Sequence, residues 1–241
     1  MRALFALLLV LYAQGLYAAD VSVAVASNFV ATAHELAGSF EAETGYTVTL
    51  SPGSTGKHYA QIRHGAPFDV FLAADAERPE LLCDEGLASP DTLYSYAFGR
   101  LVLWSKDLPV SDTAIANGLN DNSFRFLAIA NPELAPYGRA AREYLEAGSL
   151  WGRLSGKLVR GENVAQAMQY VDSGNAQLAL VAASLTLGQP GNVWPVPVEL
   201  YAPIEQQAVL LKSSPAASAF MQFLQSEVAR KIIVANGYYL P

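Results

Sequence analysis

The chain has 241 residues, 52% of them hydrophobic, with 15 basic and 22 acidic side chains and a formal charge of −7. This acidic balance excludes general affinity for nucleic acid or anionic lipid, so any anion must be held locally by oriented donors and not by bulk charge. The single cysteine, Cys83, excludes an internal disulfide framework.

Residues 1–19 read as a secretory signal peptide. Arg2 supplies a positive start, Ala3 to Tyr12 is an apolar run too short to span a bilayer of about 30 Å, and Leu16-Tyr17-Ala18-Ala19 offers small residues for cleavage after Ala18 or Ala19. No cysteine follows that run to carry a lipid anchor, and no later stretch reads as a transmembrane helix, so the mature chain is expected to be soluble. Its remaining length of about 220 residues suffices for one large or two modest α/β domains.

Val21 to Ala26 reads as a strand giving way to the polar turn Ser27-Asn28. Phe29, Ala33, Leu36, Ala37 and Phe40 then recur at helical spacing, and Gly45 is a plausible stop. Tyr46 to Ser51 is a second strand, leading into Gly53-Ser54-Thr55-Gly56 and a helix from Ser54 or Thr55 with Tyr59 and Ile62 on its apolar side. Asp69 to Ala74 is a third, buried strand, with Asp75 placed to cap a helix carrying Leu81 and Leu82. Cys83 on that helix reads as a buried small apolar residue, not a nucleophile.

Tyr94 to Trp104 is extended for longer than a usual strand and is expected to cross between two lobes; Ser105 to Ser123 follows as a polar stretch. A second series has strands at Phe124 to Ala130, Lys157 to Arg160 and Gln177 to Ala183, with helices at Tyr137 to Ala147 and Val164 to Asp172. Asn192 to Pro203 is too proline-rich to be a central strand throughout. Gln207 to Lys212 is expected to run back beside the first crossing, before helices at Ala216 to Gln225 and Val228 to Ala235. Alternating strands and helices predict parallel sheets covered by helices, here as two α/β lobes with the ligand in the cleft between them. The expected boundaries are 20–98 plus 205–241 for the first lobe and 99–204 for the second.

Four junctions carry the chemistry: Ser27-Asn28, Ser54-Thr55-Gly56, Ala135-Pro136-Tyr137-Gly138 and Glu162-Asn163-Val164. Each sits at a helix start, where unpartnered N–H groups and the positive helix end favour an anion. Helix capping explains any one alone, whereas two from each lobe point to one ligand held by both. Other chemistries fail on spacing. Gly53-Ser54-Thr55-Gly56-Lys57 lacks the four residues between glycines that a nucleotide loop needs, and no Gly-x-Ser-x-Gly elbow occurs. His34, His58 and His64 have no metal-ligand spacing and read as surface or helix-face histidines. Without a nucleophile, base or metal constellation, neither an enzyme nor a resident cofactor is expected.

Ala24-Val25-Ala26-Ser27-Asn28-Phe29, Ser51-Pro52-Gly53-Ser54-Thr55-Gly56, Gly65 to Asp75, Asn131 to Gly138 and the final Gly237-Tyr238 are spread over essentially the whole mature chain. In these segments the sequence resembles the periplasmic molybdate-binding proteins of molybdate ABC importers. The resemblance implies a type II two-lobed periplasmic binding fold and a soluble monomeric receptor that passes molybdate, or tungstate, to a membrane permease. It carries the ligand contacts onto Ser27, Asn28, Thr55, Tyr137 and the backbone of Val164, touching the molybdate oxygens and not the metal. One branch of the family has a tyrosine where Ala182 stands here, so this chain looks like the other branch. Thr55 replaces a usual serine, keeping the hydroxyl and adding a methyl expected to tighten the pocket.

A fully deprotonated tetrahedral anion offers only acceptors, so its pocket should present donors and avoid carboxylates. Glu162 is the one carboxylate in the motifs and is expected to face solvent, as are Lys57 and Arg139 on their helices. The remaining alternatives are a receptor for sulfate, phosphate or another oxyanion, and a sensory binding module.

Overall fold

The computed structural model describes residues 20–241, so the signal-peptide expectation lies outside the described residues. The chain enters on β1 (Val21–Ala26), followed by a single tight turn at 27–29 and α1 (Val30–Thr44), which ends at Gly45 with φ +77°. β2 (Val48–Gly53), α2 (Thr55–Arg63), β3 (Val70–Leu72) and α3 (Glu77–Asp84) complete the first series. The buried face of α2 is Thr55, His58 and Ile62. Tyr59 packs partly buried against the same apolar cluster as Ile62, so the expected apolar side holds, and Thr55 and His58 extend it.

The long extended run is two strands, β4 (Tyr94–Gly99) and β5 (Leu101–Ser105), broken at Arg100. The stretch read only as polar holds α4 (Ala114–Asp121), which buries Ile115. Next come β6 (Leu127–Ala130), α5 (Pro136–Ala147), β7 (Leu158–Gly161), α6 (Val164–Asp172), β8 (Leu178–Ala182) and the one-turn α7 (Ala183–Thr186). β9 (Asn192–Pro195), β10 (Ile204–Leu210), α8 (Pro215–Phe223) and α9 (Glu227–Ala235) finish the chain.

The strands form two five-stranded sheets, in the orders β2-β1-β3-β10-β4 and β7-β6-β8-β5-β9. β4 and β5 therefore belong to different sheets, and the chain passes between them at Arg100 and again between Pro195 and Ile204. Parallel pairing holds only for β2-β1-β3 and β7-β6-β8. The expectation of parallel sheets is corrected at the crossings: β10 runs antiparallel to β3 and β4, and β5 antiparallel to β8 and β9. The two crossing strands travel in opposite directions, so each enters its sheet against the βα strands. β9, with its terminal proline, takes an edge position, where a missing N–H costs no ladder bond.

Each sheet has its own apolar core. Phe29, Phe40 and Phe220 fill the first, and Trp104, Leu127 and Tyr137 the second. Ala26 and Ala74, at the carboxyl ends of first-sheet strands, pack into the second core, so the two lobes meet where the βα turns converge. Among the described residues no helix is long and apolar enough to cross a membrane.

Candidate functional site

The four junctions follow β1, β2, β6 and β7 and face one another across this cleft. In the second, Ser54 caps α2 by accepting from Lys57 N at 3.4 Å. Thr55 is buried at the first helical position, and its Oγ1 accepts from Ala74 N at 3.0 Å, which leaves its own proton free to donate. In the fourth, Asn163 caps α6 through Gln166 N at 3.0 Å, and the Val164 N–H stands in the first turn, where no intrahelical acceptor exists. Ser27 Oγ accepts from Ala165 N across the cleft at 3.4 Å.

The Asn28 side chain is engaged within the protein. Its Nδ2 donates inward, to Gln206 Oε1 at 2.9 Å and Tyr238 Oη at 3.1 Å, while its carbonyl accepts from the Tyr238 hydroxyl at 2.7 Å. The carboxamide thus braces the loop, and the Asn28 backbone N–H, in the first turn of the helical segment, has no intrahelical acceptor. The Tyr238 hydroxyl also lies 2.8 Å from Ser184 Oγ on α7, so the bracing network reaches the second lobe.

Tyr137 follows Pro136 at the start of α5 and is buried, and its hydroxyl has no hydrogen-bond partner among the described residues. Burial, then the neighbouring phenols of Tyr238, Tyr96 and Tyr201, hold this phenol well above its ordinary value, so it remains a proton donor at neutral pH. Gly99 lets it in: a Cβ there would overlap the Tyr137 hydroxyl and stand 3.0 Å from Gln206 Nε2, a second buried donor without a partner.

Around these residues, charged groups pair from lobe to lobe. Lys57 meets Glu162 at 3.2 Å, and Arg139 meets Glu77 at 2.8 Å and Asp75 at 3.6 Å. Glu162, Lys57 and Arg139 are exposed as expected, but they face each other's lobes as well as solvent. Asp75 also pairs with Arg78 and accepts from Arg78 N at 3.2 Å, so it supports the start of α3 from two residues ahead of it. Burial pushes the Asp75 carboxyl up, against the pull of Arg78 and Arg139. Gly56 N donates to Leu134 O across the cleft at 2.8 Å, and a Cβ on Gly56 would lie 2.9 Å from that oxygen, so glycine permits this backbone contact.

His58 is a correction to the surface reading, although a helix-face position was allowed for it. It is buried under the second junction, with Nε2 3.2 Å from Val25 O and Nδ1 3.1 Å from Gln61 Oε1. Burial lowers its pKa from the ordinary 6.5, so it is neutral. His34 and His64 are exposed. Cys83 is half-buried against Leu82 and Ile62, and burial raises its thiol. The bracing residues Tyr96, Ser184, Gln206 and Tyr238 did not stand out as site residues. The one signal available was a Glu-Gln-Gln run inside an otherwise apolar strand.

A model of the bacterial extracellular solute-binding protein family matches residues 21–239. A molybdate-binding protein, ModA, of Azotobacter vinelandii is 46% identical over 231 residues, covering 92% of this chain and 91% of the relative. ModA of Rhodobacter capsulatus is 43% identical over 225 residues, covering 92% and 88%. The solved structure of the Azotobacter vinelandii periplasmic molybdate-binding protein superposes with a TM-score of 0.85 at 39% identity, covering 92% of this chain and all of that one. With two mixed sheets, a cleft lined by four helix-start junctions and these relatives, the chain belongs to the bacterial extracellular solute-binding proteins.

Proposed function

We propose that this protein is the extracytoplasmic receptor of a molybdate importer, binding molybdate, and tungstate by the same chemistry, for delivery to an ABC permease. The observation that carries the reading is the donor-only centre of the cleft. The four junctions supply the partnerless Tyr137 hydroxyl, the free proton of Thr55 and the first-turn N–H groups of Asn28 and Val164, while the nearby carboxylates are engaged with Lys57, Arg78 and Arg139. Such a set suits a dianion that carries no proton, because every one of its oxygens accepts. Each charge-assisted bond contributes about 1.5–3 kcal/mol, enough for neutral donors to hold a dianion without a facing cation. The likeness to molybdate-binding proteins at 46% and 43% identity supports molybdate as the cargo.

In this reading Ser27, Asn28 and Thr55 receive the anion on the lobe comprising 20–98 and 205–241. Closure of 99–204 about Gly99 and Ala202-Pro203 then brings Tyr137 and Val164 onto it. Excluding water strengthens each bond, and the closed form is what the permease recognises. The protein acts as a periplasmic monomer and performs no catalysis.

Calorimetric titration of the ligand-stripped mature protein with molybdate, tungstate, sulfate and phosphate in one buffer tests this. Tight binding of the first two, with little heat from the others, is expected. Preference for sulfate or phosphate reassigns the cargo, and silence to all four rejects the oxyanion site. Tyr137→Phe and Thr55→Ala must each weaken binding for the residue assignment to stand.

A further inference from the structure

Gln206 lies on β10 where the pairing with β4 shifts register between Gln206 and Gln207, and its side chain is fully buried. Its Oε1 accepts from Asn28 Nδ2 at 2.9 Å, and the Tyr96 hydroxyl, whose proton is shared with Ala73 O at 3.1 Å, lies 3.2 Å from it. Asn28 Nδ2 has only protons to give, so this contact fixes which end of the Gln206 amide faces it. The other end, Nε2, has no partner and borders the same point beside Gly99 that the partnerless Tyr137 hydroxyl occupies. Two buried, unsatisfied donors side by side are rare in a folded interior, where an unpaired polar group is costly. Both are satisfied at once if an acceptor-only group enters between them from the cleft.

We propose that Gln206 Nε2 is a further donor to the bound oxyanion, beside the Tyr137 hydroxyl at the floor of the cleft, and that it selects for an anion with no proton of its own. The inference rests on the oxyanion-receptor reading above. A free glutamine amide turns over to offer oxygen or nitrogen as the ligand requires, whereas Gln206 is locked by Asn28 and Tyr96 with its N–H groups outward. A hydrogen-bearing anion such as hydrogen phosphate would bring an O–H against that donor and leave the proton unpaired. Gly99 serves the same arrangement, since a side chain there would displace the Tyr137 hydroxyl from its place beside Gln206 Nε2.

The test is calorimetry of the wild type, Gln206→Glu and Gln206→Met with molybdate and with phosphate at pH 8, together with a crystal structure of the wild-type molybdate complex. Gln206→Glu keeps an oxygen for Asn28 and Tyr96 but turns an acceptor onto the anion, so molybdate affinity should fall by about 100-fold or more; Gln206→Met should lose roughly 10- to 100-fold. In the complex, Nε2 should lie at hydrogen-bond distance, about 2.7–3.2 Å, from an oxygen of the anion. A Gln206→Glu protein binding molybdate within about threefold of wild type overturns the proposal, as does a complex in which Nε2 is bonded only to water or protein. If the variants do not fold, the complex alone decides. A wild type that ignores molybdate removes the cargo reading and this inference with it, whereas a wild type that binds with Nε2 turned away removes this inference alone.

Discussion

The two sides of the cleft are prepared in opposite ways. On the first-sheet side the loop at Ser27-Asn28 is tied by Gln206, Tyr238 and Tyr96, and Thr55 is tied to Ala74, so these donors are held in place whether or not a ligand is bound. On the second-sheet side, Tyr137 carries an unsatisfied hydroxyl and α6 presents an open first turn. The difference teaches that the first lobe's loop is braced by its own hydrogen bonds, leaving Gln206 Nε2 open beneath it, while on the second side the Tyr137 hydroxyl and the α6 start have no such bracing. Preorganisation lowers the ordering cost of binding, and unsatisfied donors add a drive to close.

The sharpest way to break this comparison is Gly99→Ala. Its Cβ would overlap the Tyr137 hydroxyl, adding overpacking strain and removing a ligand bond, so molybdate affinity should drop by about 100-fold or more in calorimetry. Tyr137→Phe and Tyr238→Phe form the next test, because each removes one phenolic oxygen from opposite halves. Tyr137→Phe should cost about 1.5–3 kcal/mol of binding, roughly 10- to 100-fold, with the apo melting temperature unchanged or raised, since it deletes an unsatisfied buried group. Tyr238→Phe should lower apo stability by about 1–3 kcal/mol, because Asn28 and Ser184 lose a buried partner. If the two variants behave alike, the half-sites are not prepared differently.

Acid titration sharpens the first-lobe side. The folded state lowers the pKa of His58, so it disfavours the protonated form that the unfolded chain adopts below the ordinary 6.5. That stability is fully present above pH 6.5 and is lost as the pH falls through it toward the depressed folded value. Chemical denaturation between pH 8 and 5 should show the decline, and His58→Gln should flatten it. The smallest effect is expected at the rim: Arg139→Gln removes half-exposed ion pairs worth about 0–1 kcal/mol, so affinity should change only a few-fold, and less in high salt.

The two βα series were legible because their cues are local. Phe29 to Phe40 and Val164 to Val171 keep helical spacing, and the turns ahead of α2 and α6 carry the capping residues Ser54 and Asn163 that the structure uses. α4 was not legible, since Asn117, Gly118, Asn120 and Asp121 dilute its apolar stripe with residues that favour turns. The return of β10 beside β4 was anticipated in the strand expected to run back along the first crossing, but the antiparallel entry of β5 beside β8, and of β10 beside β3, was hidden, because strand direction depends on pairing between distant segments. The junction residues could be chosen from sequence, but the inward turn of Asn28 could not, since its partners Gln206 and Tyr238 lie 178 and 210 residues away. The burial of His58 went unseen for a related reason: an imidazole looks polar until Val25 O and Gln61 are placed beside it.

β10 occupies an interior slot, between β3 and β4, yet it is the last strand of the chain. The second sheet draws all its strands from one continuous stretch, Leu101 to Pro195, and can be completed as soon as that stretch is available. The first sheet cannot. Until residues 204–210 arrive, β3 and β4 have no strand between them, and Gln206 is not there to hold Asn28. A chain made from its amino terminus therefore finishes its inserted lobe first and its enclosing lobe last, at the entropic cost of joining segments more than 100 residues apart. The loop at Ser27-Asn28 acquires its final shape only when the chain is nearly complete.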